Sequence, residues 1–134
     1  MSQENVEVVR HALEAWGRGD REAAADLLDP EVEWRMPPNI PEAGTYRGRD
    51  EVVQRLDEFL DAWDALAVTV EKLMDAGDRV VALVRYSGRG RESGIEIGGV
   101  STDAQVWTLR DGKALKVELY AGTADALEAA GLSE

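Results

Sequence analysis

Two tight-turn signatures in the second half of the chain, Ala76-Gly77-Asp78 and Arg110-Asp111-Gly112-Lys113, constrain the fold more than any other feature. Each separates two segments rich in β-branched and alternating residues. Gly beside Asp supplies the positive φ that short hairpin turns require. A Gly-rich stretch, 88–94, makes a third junction. The chain beyond residue 65 therefore reads as four strands, 66–75, 79–87, 95–109 and 114–121, paired as antiparallel hairpins. Gly98-Gly99 interrupts the longest strand. Glycines inside a strand mark a bulge or sharp bend, so the sheet is expected to curve.

The first half has a different period. Val6, Val9, Leu13 and Trp16 recur at helical spacing, with Ser2 placed to cap the helix and Gly17-Arg18-Gly19 to end it. Asp20 is placed to cap a second, short helix through residue 28, which Asp29-Pro30 stops. Residues 31–36 then alternate, with Val32, Trp34 and Met36 on one side and Glu31, Glu33 and Arg35 on the other, as in a short half-buried strand. Pro37, Pro38 and Pro41 imply an extended loop, and a third helix is expected from 50 to 63 with Val52, Val53, Leu56, Phe59, Leu60 and Trp63 on its apolar face. A short helix, 125–130, closes at Gly131. Helices first and a meander last is an α+β layout, in which helices cover one face of a bent antiparallel sheet. No linker or repeat divides residues 1–134, so one domain with a single apolar pocket in the concavity of the sheet is expected.

Charge and composition narrow the partners. The net charge of −12 repels phosphate backbones and anionic lipid, and the one dense basic stretch, Arg85, Arg89 and Arg91, reads as a solvated strand end and loop. Neither nucleic acid nor membrane is an expected partner. No apolar run approaches the roughly 20 residues that cross a bilayer. The N-terminal Met-Ser-Gln-Glu-Asn lacks the basic and apolar regions of a signal peptide, so a cytoplasmic location is expected. With no cysteine and one histidine, a disulfide frame and a thiolate metal site are excluded, and no carboxylate spacing suggests another metal centre. His11 falls opposite the apolar face of the first helix and reads as solvated. The Gly-rich stretch 88–94 joins two strands instead of opening a helix, so it is not a phosphate loop. No cofactor is expected.

Five strings in order, Glu14-Ala-Trp-Gly-Arg-Gly-Asp20, Leu28-Asp-Pro-Glu-Val-Glu-Trp34, Tyr46-Arg-Gly-Arg-Asp-Glu-Val52, Asp75-Ala-Gly-Asp-Arg-Val-Val81 and Val106-Trp-Thr-Leu-Arg-Asp-Gly-Lys113, resemble the SnoaL-like branch of the nuclear transport factor 2-like superfamily. That superfamily includes ketosteroid isomerase, polyketide cyclases and limonene-epoxide hydrolase. The resemblance covers about residues 5–131 and implies a cone: helices plugging a curved sheet, a pocket at the wide end, and a homodimer through the sheet. It also implies where acid–base residues would sit. The general base of a ketosteroid isomerase falls on Met36, its first-helix tyrosine on Ala12, and its protonated aspartate on Gln105. Methionine cannot take a proton, so the resemblance does not extend to that reaction.

The remaining candidates come from strand parity. Ser101, Asp103, Gln105, Trp107 and Leu109 share one face of their strand. If Trp107 points inward, Gln105 and Asp103 line the cavity above it. A buried Gln must satisfy its donors and its acceptor, through a ligand or through a neighbouring group or core water. Trp16, Trp34, Met36, Trp63, Tyr86, Gln105 and Trp107 are the expected ligand-binding set, although any single aromatic would serve equally in core packing. Three functions fit. The first is a protein binding a small apolar molecule in a Trp-lined pocket. The second is an isomerase, cyclase or hydrolase on a steroid-, polyketide- or terpenoid-like substrate, with Asp103 and Gln105 as catalytic residues. The third is an interaction module, with Val81, Leu83, Ala104, Val106 and Thr108 forming a subunit interface.

Overall fold

The computed structural model describes residues 2–36, 44–61, 63–90, 96–120 and 123–131. Helix α1 (Ser2–Gly17) and α2 (Arg21–Asp26) precede strands β1 (Leu28–Met36) and β2 (Gly44–Arg47). Helix α3 (Arg49–Asp61) follows, then β3 (Trp63–Ala76), β4 (Arg79–Gly90), β5 (Glu96–Arg110), β6 (Lys113–Tyr120) and α4 (Thr123–Ala129). The six strands form one curved, open sheet in the order β2-β1-β6-β5-β4-β3. The expected hairpins β3–β4, β4–β5 and β5–β6 are present and antiparallel.

Turn chemistry sets the joints. Gly19 at φ +78° ends α1, with the amide of Asp20 donating to the Ala15 carbonyl at 2.9 Å. The Asp20 carboxylate then accepts from Ala23 N–H at 3.2 Å and caps α2. Asp111 (φ 53°) and Gly112 (φ 76°) both occupy the left-handed region that a tight β5–β6 turn needs. The β4–β5 ladder shifts between Tyr86 and Gly88, opposite residues 97–101, so the irregularity falls where Gly98-Gly99 predicts a bend.

Trp63, expected on the apolar face of the third helix, opens β3 instead, and three further features differ from the sequence reading. First, β1 starts at Leu28, with a register shift before Glu33 that accommodates Asp29 and Pro30 in an irregular ladder. Second, part of the expected loop is strand: β2 pairs antiparallel with the outer edge of β1, Trp34 opposite Tyr46. Third, β1 joins the meander by a parallel ladder to β6, Trp34 opposite Val117, so the sheet is not antiparallel throughout.

The sheet buries both faces at its centre. On the concave side Val80, Ala82, Val84, Val32 and Val117 pack with Trp34 and Trp107 beneath Val9 and Leu13 of α1 and Val52 of α3. On the other side Val81, Ala104 and Val106 are buried under Ala126, Leu127 and Ala130 at the chain's own C-terminal end. The Arg79 guanidinium donates to the Ala129 carbonyl at 2.9 Å and ties down the end of α4. Of the residues expected at a subunit interface, Val81, Ala104 and Val106 are covered within the chain by α4 and Ala130, and Leu83 packs at the margin of the same cluster.

Candidate functional site

The concave face narrows to a cavity where the first helices meet β1 and β5. Helix α1 contributes Ala12, Leu13 and Trp16, because positions i, i+1 and i+4 fall on the buried side of a helix whose Val9 is 0% exposed. Period-two alternation along β5 brings Gln105 and Trp107 to the same wall, and β1 adds Trp34. Ala24 of α2, Leu28 and Leu56 of α3 close the sides. The cavity is small and partly open to solvent.

Its one polar side chain among the described residues is Gln105, which is 1% exposed. The indole N–H of Trp107 donates to Gln105 Oε1 at 2.8 Å. Trp107 in turn meets Trp34 edge-to-face, with ring centroids 6.0 Å apart and planes at 78°. That geometry suits the aromatic quadrupole and fixes both rings. Gln105, Trp107 and Trp34 thus form a rigid series across β5 and β1. Just outside it, Tyr46 lies opposite Trp34 on β2, and the Arg55 guanidinium stands 4.8 Å from the Tyr46 ring centre.

The structure brings together four of the residues singled out in the sequence: Trp16, Trp34, Gln105 and Trp107. Met36, Trp63, Tyr86 and Asp103 belong to strands, but their side chains lie outside the described residues. The backbone register sets Asp103 opposite Val84, two residues along from Gln105. Leu56, Ala24 and Leu28 were not singled out as lining residues; Leu56 was visible only as one position of an apolar helical stripe. His11 is exposed, away from the cavity.

Charge is arranged elsewhere. Asp29 accepts from the Glu31 amide at 2.8 Å and from Arg110 at 3.3 Å, and these bonds, the backbone one foremost, hold its carboxyl below the usual range. Burial beside Glu118, to which its hydroxyl donates at 3.3 Å, pushes the Tyr120 phenol up. Arg35 lies 3.5 Å from Glu118, on the adjoining β1 strand. Among the described residues no three His, Asp or Glu side chains gather as metal ligands would, and no helix is long and apolar enough to cross a membrane.

The sequence matches the SnoaL-like domain over residues 9–117. No curated protein matches it. Among solved structures, a nuclear transport factor 2-like protein from Burkholderia thailandensis is 31% identical, with 96% of this chain and 98% of that one covered at a TM-score of 0.77. A protein with a ketosteroid isomerase-like fold from Catenulispora acidiphila, in complex with trimethylamine, is 19% identical over 95% and 94% of the two chains, at 0.73. TerC, co-crystallised with polyporic acid, is 22% identical over 96% and 98%, at 0.76.

Proposed function

The chain belongs to the SnoaL-like family, and from that premise we propose that it binds a small apolar molecule in the tryptophan-lined cavity. One observation carries the proposal. A single buried amide, Gln105, stands on a wall whose other described members are Trp, Leu and Ala. An apolar surface with one placed polar group is the usual make-up of a site that binds and orients a small ligand. The wall offers no acid or base among the described residues, and the position that resembles the isomerase base is Met36. Binding is therefore better supported than proton transfer. The trimethylamine and polyporic acid found with two proteins of the same fold support small organic molecules as the ligand class.

Tryptophan fluorescence tests this, because Trp16, Trp34 and Trp107 line the cavity. Titration with 1-tetralone should give a saturable change, and Ala24→Phe, which fills the cavity from α2, should remove it while the far-ultraviolet circular dichroism stays native. An identical titration in the filled variant overturns the assignment of the site.

A second reading is catalysis with Asp103 as acid–base group, and the register favours it to the extent that Asp103 is two residues from Gln105 on β5. It predicts exchange of the α-protons of a bound ketone with deuterium, abolished by Asp103→Asn. No exchange above the rate in buffer removes it.

A further inference from the structure

Most of the cavity wall is buried, but Trp16, Ala24 and Leu56 are only partly covered. Those three stand on α1, α2 and α3, so the way in from solvent lies where the three helices meet. An ion pair crosses that junction. Arg21, three residues before Ala24 and on the same side of α2, sets its guanidinium 2.6 Å from Asp61 and 3.4 Å from Asp57. Asp57 follows Leu56 on α3, and Asp61 stands about one turn further on. The planar fork of an arginine suits two carboxylates spaced in this way.

Helix α2 is a slight element of six residues, none of them buried. Its C-terminal end is fastened to β6: Lys113 Nζ donates to the Asp26 carbonyl at 2.7 Å, and the Ala114 amide to the Leu27 carbonyl at 2.8 Å. Its N-terminal end follows Gly19, at φ +78° with open space where a Cβ would be, and is joined to α3 through Arg21. A helix with no buried side chain has little apolar area to hold it down, and such elements open locally at low cost.

We infer that Arg21 is a latch on the cavity. Paired with Asp57 and Asp61 it holds the first turn of α2 against α3, and its release lets α2 swing from its C-terminal anchor and admit a small molecule. The inference rests on the reading of the cavity as a ligand site. An ion pair between exposed groups is weak and screened by salt, which suits a gate that opens repeatedly. Arg21 is not on the cavity wall. It therefore governs how fast a ligand exchanges and leaves affinity alone, because the closed latch is common to the free and the occupied protein.

Hydrogen exchange of the Trp107 indole N–H, followed by nuclear magnetic resonance in D₂O, reads the opening without any ligand. That proton is buried and bonded to Gln105, so it exchanges only when water reaches the cavity. Arg21→Gln should speed it about threefold, the scale of one exposed ion pair. Raising sodium chloride from about 50 mM to about 1 M should do the same in the wild type and add nothing in the variant. The backbone amide of Val106, buried on the far side of the sheet, should keep its rate. Arg85→Gln, which removes an exposed pair with Glu71, should leave Trp107 unchanged. An unchanged Trp107 rate in Arg21→Gln, or an equal rise at Val106, overturns the latch. Stopped-flow fluorescence with 1-tetralone gives the ligand's side: association and dissociation should both quicken about threefold in Arg21→Gln, with Kd unchanged. A shift in Kd carried by one rate alone overturns the latch. No saturable binding of 1-tetralone to the wild type overturns the ligand site, and the exchange rates still decide the latch.

Discussion

The hydrogen bond between Trp107 and Gln105 is the first thing to perturb, because its two partners are 2% and 1% exposed. Gln105→Leu keeps the approximate volume but strands the Trp107 N–H. An orphaned buried donor costs about 1–3 kcal/mol, partly offset by the added apolar side chain. Trp107→Phe removes the donor and part of a ring that packs edge-to-face on Trp34, and the same range of about 1–3 kcal/mol is expected from the stranded carbonyl and the lost contact. With both changes present neither polar group is left stranded. The double variant should therefore be more stable than the sum of the single losses by about 1–2 kcal/mol. For a chain of 134 residues, each kcal/mol corresponds to a shift of roughly 3–4 °C in Tm. Urea titrations of the four proteins, followed by far-ultraviolet circular dichroism at one pH, give the coupling directly, provided the m-values agree. Additivity within about 0.5 kcal/mol would refute the reasoning, since it would mean that the bond contributes nothing that either partner misses.

Other perturbations test the frame around the site. Asp29 is held ionised by the Glu31 amide and Arg110, so its folded pKa lies below its unfolded one. The stabilisation is present above the unfolded pKa and is lost as pH falls through the folded value. Asp29→Asn should flatten the acid limb of the urea midpoint between pH 7 and pH 3, and an unchanged limb would contradict this. Removal of residues 123–134 uncovers Val81, Ala104 and Val106, and light scattering should then show self-association or aggregation; a stable monomer would deny α4 its covering role. Gly112→Ala forces a side chain into φ +76° at the β5–β6 turn and should cost about 1 kcal/mol, whereas a neutral result would show that the turn adapts.

What the sequence made legible follows its periodicities. Val9, Leu13 and Trp16 at helical spacing, and Gln105 with Trp107 two apart on a strand, place the core of the cavity without reference to tertiary contacts. The three hairpins follow from local turn chemistry in the same way. Non-local pairing was hidden. Gly44–Arg47 is four residues long, too short for an alternation to register, and the parallel ladder of β1 on β6 joins segments about eighty residues apart with no turn between them to announce it. The covered strip was misassigned for a related reason. Val81 and Val106 read as an apolar outer face, and the short stretch that buries them, Thr123–Ala129, carries too few residues to declare a target. The Trp107–Gln105 bond was one of the partners that a buried amide requires, and only geometry could select it from water, ligand or neighbour.

The central claim, a ligand bound in the tryptophan-lined cavity beside Gln105, is tested most directly by nuclear magnetic resonance of the ¹⁵N-labelled protein titrated with 1-indanone. The account predicts saturable shifts concentrated in the Gln105 side-chain NH₂ and the indole N–H signals of Trp16, Trp34 and Trp107, with exposed amides such as those of Gly77 and Asp78 unmoved. Shifts confined to the surface, or none up to the solubility of the ketone, would contradict it.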